Sequence, residues 1–248
     1  MRIKMLSLKA VAVATLATVA GTLALTGTAQ ADTKSPRAAA TISIATNKQT
    51  YYYNDNATVT AHIGATVSRT LSIVAQQYGG GKVTIKKGTV DSHGNLTTTF
   101  HVTRSTNFSA VFGGDSKYAP KTVTLGVRSY AKVGLTQGRY ISSVNVGSTP
   151  YKLYHSYTNP LIKAVVQPTH ANECVSYFAQ IYTRGAWRNL TTASCVRTSS
   201  ASAAFAELTG SHPTNLHYRV RAEFVHPASD GANVNTYSYW TYFAFTSR

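Results

Sequence analysis

Catalysis needs groups that converge, and this chain offers few of them. Its carboxylates are Asp32, Asp55, Asp91, Asp115, Glu173, Glu207, Glu223 and Asp230. Their spacing gives no sign of an acid–base pair of the kind that cleaves glycosides. The histidines are His62, His93, His101, His155, His170, His212, His217 and His226. None sits in a His-Glu-x-x-His or similar metal motif, so all are expected at the surface. His212 and His217 flank a turn and offer at most an adventitious metal site. Gly79-Gly-Gly-Lys82 is followed by Val83, where a phosphate loop needs Ser or Thr. No Gly-x-Ser-x-Gly nucleophile elbow occurs. The expectation is a protein that is not an enzyme and uses no metal and no cofactor.

Cys174 and Cys195 are the remaining reactive groups, and they mark a hairpin. The segment between them reads as two strands folded about Arg184-Gly185, with Gly185 supplying the tolerance for φ > 0 in a tight turn. Thr183 then faces Ala186, Tyr182 faces Trp187 and Cys174 faces Cys195. Opposed Cα atoms at a non-hydrogen-bonded pair lie about 4.5 Å apart, within disulfide range. A three-residue loop, Thr183-Arg184-Gly185, would instead place Cys174 opposite Ser194, and two free buried thiols are the other reading. The cysteine pairing favours the first register. In the chain-entropy view such a bridge is worth roughly 3 kcal/mol, less where the hairpin forms locally. Zinc ligation does not fit this spacing, and a paired cysteine is no nucleophile.

The hairpin's two faces differ. Val175, Tyr177, Ala179, Ile181 and Leu190 form an apolar face expected in the core. Phe178, Tyr182 and Trp187 share the cysteine face. Exposed rings at Tyr182 and Trp187 beside Arg184 and Arg188 would suit a glycan, a peptide or a protein surface. The competing reading buries Trp187, as sandwich tryptophans often are.

The elements that would position these residues are strands. Residues 1–31 read as a signal peptide: Arg2, Lys4 and Lys9, an uncharged apolar run from Ala10 to Leu25, and the small-x-small site Ala29-Gln30-Ala31. Residues 32–40 read as a flexible leader. Removal of residues 1–31 lowers the net charge from +16 to +13, spread evenly along the rest. Diffuse positive charge suits loose attraction to an acidic cell-wall polymer and gives no sign of specific nucleic-acid binding. Period-2 alternation and frequent turn residues then indicate two consecutive antiparallel β-sandwiches, 41–131 and 132–248, joined near residues 128–134. In the first, Ala57 to Ile63 alternates and Tyr51-Tyr52-Tyr53 must expose at least one ring if extended. In the second, Tyr218, Val220, Ala222 and Phe224 alternate with Arg219, Arg221 and Glu223, and Thr236 to Thr246 reads as one aromatic-rich strand.

Three phrases in the first half, Tyr53-x-Asp55-x-Ala57-Thr-Val-Thr-Ala61, Val90-Asp-x-x-Gly94 and Phe108-x-Ala110-x-Phe112-x-Gly114-Asp115-x-x-Tyr118, resemble the bacterial Ig-like repeat domain. That resemblance covers about residues 41–131 and implies a spacer or adhesive module without catalytic residues. Gly185-Ala-Trp187, Tyr218-Arg-Val-Arg-Ala222 and Trp240-x-Tyr242-Phe243 resemble a second sandwich-like domain of secreted actinobacterial proteins, which brings no assigned activity. A tyrosine opening a late strand, here Tyr218, is similar to the tyrosine corner of Ig-like folds. The expectation is an all-β, secreted, non-catalytic protein that adheres to cell wall, exopolysaccharide or a protein partner, with no membrane contact after processing. A small secreted inhibitor or toxin-associated effector is the alternative.

Overall fold

The computed structural model describes residues 37–64 and 69–247. The expected signal peptide lies outside them, as do residues 32–36 of the expected leader. The described residues form strands and turns with no helix. Numbered in chain order, β1 (Ile42–Thr46), β3 (Asp55–Ile63) and β6 (Asn95–Val102) make one sheet, ordered β1-β3-β6. A second sheet runs β2-β8-β7-β4-β5, built from β2 (Thr50–Tyr52), β4 (Thr70–Gln77), β5 (Lys82–Thr89), β7 (Thr106–Phe112) and β8 (Lys121–Tyr130). Alternation decides the layer between them. Ala57, Val59, Ala61 and Ile63 point inward from β3 and meet Leu71, Ile73 and Ala75 of β4 and Phe108, Ala110 and Phe112 of β7. Tyr51 is buried in the same core, while Tyr52 points outward.

The chain then builds a second core. A three-stranded sheet β15-β12-β9 comprises β9 (Lys132–Gly138), β12 (Leu161–Gln167) and β15 (Ala203–Glu207). Against it lies the sheet β10-β11-β18-β16-β13-β14, with β17 paired to β16. Its strands are β10 (Ser142–Val146), β11 (Thr149–His155), β13 (Cys174–Thr183), β14 (Ala186–Arg197), β16 (His217–Val225), β17 (Thr236–Tyr237) and β18 (Thr241–Thr246). Val175 and Tyr177 from β13, Tyr218, Val220, Ala222 and Phe224 from β16, and Phe243 and Phe245 from β18 fill the interior. Tyr177 ties the two layers together: its hydroxyl donates to the Ala204 carbonyl at 2.7 Å and accepts from the Ala164 N–H at 3.2 Å. Burial pushes this phenol up to about 12. The Tyr218 hydroxyl donates back to the Pro213 carbonyl at 3.1 Å, a corner contact that fixes the entry into β16.

The two cores change over inside the expected joint: β8 runs to Tyr130, β9 begins at Lys132, and only the buried Ala131 lies between. Three expectations need correction. Residues 38–40 are not a free leader, because Ala38 bridges to Tyr118 and Ala40 is buried. The histidines are not all at the surface, since His170 and His212 are buried. The span from Thr236 to Thr246 is two strands. Ser238 interrupts it by taking the Ala222 N–H on its own hydroxyl at 2.9 Å. That break shifts the parity, so that Tyr237 before it and Tyr242 after it turn outward together.

The two cores meet through the loop between β16 and β17. Ala232 accepts the Ser105 N–H at 2.6 Å, the Val234 N–H donates to Ser129 at 2.8 Å, and Asn233 donates to the Ser129 hydroxyl at 2.9 Å. Tyr78 donates to the Ser229 carbonyl at 2.9 Å. Gly231 lies under that ring, where an added Cβ would stand 2.9 Å from Tyr78.

Candidate functional site

The hairpin turns at Arg184-Gly185, with φ of 52° and 77°, the paired positive values of a type I′ turn. Thr183 faces Ala186 and Tyr182 faces Trp187. The disulfide Cys174–Cys195 is present, with Cα atoms 4.4 Å apart. The cysteines are nevertheless not paired opposite each other. Two bulges in β14 move the register, so Ala179 faces Thr191 and Cys174 faces Arg197. Edge strands accommodate such extra residues readily, and β14 is the edge of its sheet. Cys195 sits in the second bulge with φ of 52°. The first bulge leaves Leu190 unpaired and 44% exposed, so it does not join the aliphatic face assigned to the core.

The sequence-derived site residues separate into two pairs. Tyr182 and Trp187 stand together with ring centroids 5.3 Å apart. Tyr182 is exposed and Trp187 half-buried, so the tryptophan is not sealed in the core. Arg184 and Arg188 are exposed and, among the described residues, make no side-chain hydrogen bond or ion pair and stack on no ring. The arginines that do join the rings come from β16. The Arg219 guanidinium lies between Trp187 at 4.4 Å and Trp240 at 4.2 Å. The Arg221 guanidinium lies between Trp240 at 4.6 Å and Tyr237 at 4.1 Å. A row runs across four strands and the turn before β18: Tyr237, Arg221, Trp240, Arg219, Trp187, Tyr182.

Alternation puts this row outside. The same strand buries Tyr218, Val220, Ala222 and Phe224, so Arg219 and Arg221 must face away from the core. Gln180 accepts two N–H bonds from Arg219, at 2.8 and 2.6 Å, which fixes that guanidinium. Neither Arg219 nor Arg221 has a carboxylate within salt-bridge distance among the described residues, and the Arg221 Nε is buried without a partner. Burial, and then the Glu223 carboxylate beside it, push the Tyr237 phenol upward. Clefts open on either side. One of about 610 Å³ is lined by Trp240, Tyr242, Tyr140, Gln137, Thr149 and Lys152. The other, of about 560 Å³, is lined by Tyr237, Tyr239, Tyr52, Asp55, Lys132 and Gln167. Tyr239 is 94% exposed.

Trp240, Arg219, Arg221 and Tyr237 were not singled out as site residues by sequence. The signal was present in two outward arginines on an alternating strand and an aromatic-rich terminal strand. What hid it was the break at Ser238, which no propensity reveals.

His212 is enclosed by the Ser156 and Leu208 carbonyls at 3.2 and 3.0 Å and stacks on Phe245. His217 packs on Tyr151 instead, so the two do not form a shared site. His170, Glu173 and Asp230 do converge, with ligand atoms within 4.8 Å of one another.

No family model and no curated protein matches this chain. Among solved structures, a crystal structure of red sea bream transglutaminase is similar at a TM-score of 0.32 and 11% identity, over 84% of this chain. This chain spans 31% of that structure's length, and a likeness this distant carries no functional argument.

Proposed function

We propose that this protein is a non-catalytic extracellular binding protein whose aromatic–arginine face holds an anionic glycan or wall polymer. The observation that supports this most directly is the pair of guanidiniums, Arg219 and Arg221, set between aromatic rings and free of carboxylate partners among the described residues. Sugar rings present C–H faces to aromatic side chains, and uronate or phosphate groups accept from guanidinium N–H groups. The flanking clefts extend the row so that a polymer could lie across it. The net charge of +13 that remains without residues 1–31 adds attraction at distance. In this reading the first core is a spacer or adhesive module of the bacterial Ig-like kind, and processing at residue 31 releases the protein from the cell.

The test is a binding titration of the purified protein with polygalacturonate, a uronate polymer, against neutral dextran. Trp240→Ala and Arg221→Gln should each weaken polygalacturonate binding by at least about tenfold. Lys86→Gln, on the exposed β5 edge, should leave binding close to wild type apart from a small salt-sensitive change. Equal binding by all variants, or none at low salt, sinks the reading.

A second reading, a secreted effector that docks on a protein, draws on a different surface. The edge strand β10 carries no charged residue and exposes Val144 and Val146, with Ile141 exposed just before it. Such an edge can accept a strand from a partner. A stoichiometric, salt-resistant protein partner lost on Val144→Lys would favour this reading.

A further inference from the structure

We propose that His170, Glu173 and Asp230 form a divalent transition-metal site that braces the loop joining the two cores. The three residues come from two loops. His170 and Glu173 lie between β12 and β13, and Asp230 lies between β16 and β17. His170 Nδ1 stands 3.1 Å from Glu173 Oε2 and 4.0 Å from Asp230 Oδ2. Two ligand atoms on a tetrahedral zinc, each about 2.1 Å from the ion, are about 3.4 Å apart. These two separations bracket that value and all three ligand atoms lie within 4.8 Å of one another, so closure on an ion needs side-chain shifts of about 1 Å.

A plain ion pair explains the contact less well. Glu173 Oε2 is buried and completes no hydrogen bond, although the imidazole nitrogen is only 3.1 Å away. The oxygen is close to the ring nitrogen without lying along its N–H direction, as two ligands aimed at a common point would be. His170 is 5% exposed and its Nε2 is buried without a partner, so the ring is oriented by Phe224, at 4.4 Å between centroids. Only eight acidic residues occur in the whole chain, and two of them face this one buried imidazole.

The ligands are held in place by backbone and hydroxyl contacts, those to His170 and Glu173 coming from the loop between β14 and β15. The Ser202 hydroxyl accepts the His170 N–H at 2.9 Å, and the Thr198 hydroxyl donates to the His170 carbonyl and accepts the Glu173 N–H. Asp230 accepts the Ala232 N–H at 2.8 Å on Oδ1, which leaves Oδ2 for the cluster. An imidazole with two carboxylates selects a borderline ion such as Zn²⁺ over Ca²⁺ or Mg²⁺, with water completing the coordination. The same loop that supplies Asp230 carries Ala232, Asn233 and Val234 onto the first core. An ion at this position therefore stiffens the connection between the cores, and the site stands apart from the aromatic–arginine face.

The experiment uses the full purified chain, stripped with chelator and titrated with Co²⁺ under visible absorption, then with Zn²⁺ in competition. The expected result is one Co²⁺ per chain with d–d bands, displaced by Zn²⁺, and slower hydrogen exchange at Ser105, Ala232 and Val234 once Zn²⁺ is bound. Glu173→Gln and Asp230→Asn keep the side-chain shape and should weaken Co²⁺ by at least about tenfold. His170→Ala should abolish the bands. Absence of a saturable Co²⁺ signal up to about 1 mM, which is barely −4 kcal/mol of binding, overturns the proposal. So does binding that survives Glu173→Gln and Asp230→Asn unchanged.

Discussion

The two cores solve the same packing problem with different surfaces. The first, β1 to β8, is finished on the outside with threonines and lysines. Its exposed edge, β5, carries Lys82, Lys86 and Lys87, which deter pairing with another sheet. Among its described residues the large exposed apolar ones are Tyr52, Tyr78 and Val83, and no row of rings forms there. The second, β9 to β18, leaves Tyr140, Tyr157, Tyr182, Phe205, Tyr237 and Tyr239 exposed and interleaves arginines among the rings of one sheet. A surface built only for solubility follows the first pattern. The second holds uncompensated guanidiniums and bare rings together, which is the composition of a contact surface.

Their internal fasteners differ as well. In the first core the loop before β8 is locked by Asp115. One oxygen accepts from the Lys117 and Tyr118 N–H groups and the other from Arg69 Nε at 2.7 Å, while the Arg69 guanidinium lies 4.4 Å over the Tyr118 ring. The second core relies on the Cys174–Cys195 bridge and the Tyr177 hydroxyl. The contrast can be broken experimentally, starting with the strongest fastener. Cys174→Ser with Cys195→Ser should cost about 2–3 kcal/mol in chemical denaturation, with the loss read in the second core. An unchanged midpoint under reducing conditions would remove the bridge from the account. Tyr177→Phe leaves the Ala204 carbonyl and the Ala164 N–H without their shared partner and should cost about 1–3 kcal/mol. In the wild type, stability should also fall as pH rises from 10 toward about 12, because the folded phenol resists ionisation that the unfolded one accepts.

The first core should respond at the opposite end of the pH scale. The Arg69 hydrogen bond, with help from the Tyr118 and Lys117 N–H groups, holds Asp115 at about 2 instead of 3.8. Its contribution is complete above 3.8 and disappears as pH falls through about 2. Asp115→Asn should lower the melting temperature at neutral pH and flatten the acid dependence between those values; a variant with the wild-type acid profile would exclude Asp115 as its source. The smallest effect is expected at the hairpin tip. Arg184 holds a positive φ that asparagine tolerates better, so Arg184→Asn should stabilise the protein by about 0.5 kcal/mol or less without changing polygalacturonate binding. Weakened binding would return Arg184 to the contact surface.

Much of the fold was legible in the chain because β-alternation is a local signal. Ala57 to Ile63 and Tyr218 to Phe224 each show their buried face in the sequence itself. The hairpin turn was legible from Gly185. Its far end was not, since bulges at an edge depend on twist accumulated along the strand and leave no residue signature. Strand β9 was hidden because Lys132 to Gly138 is interrupted by Gly134 and reads as a connector, while its pairing with β12 supplies the missing order. The candidate site was half legible: Tyr182 and Trp187 were found on the hairpin, but their partners lie far along the chain on β16 and beyond and are aligned by the interruption at Ser238. The His170, Glu173 and Asp230 cluster was illegible for the same reason, as two loops distant in sequence bring it together.

Trp187 and Trp240 are the two tryptophans of the chain, and both stand in the row with Arg219 between them. Intrinsic fluorescence therefore reports on the proposed contact surface without a label. Titration with polygalacturonate should change the emission saturably, protect both indoles from acrylamide quenching, and weaken at higher salt. Binding to the polymer that leaves the emission and quenching of both indoles untouched would place the contact elsewhere and contradict the account.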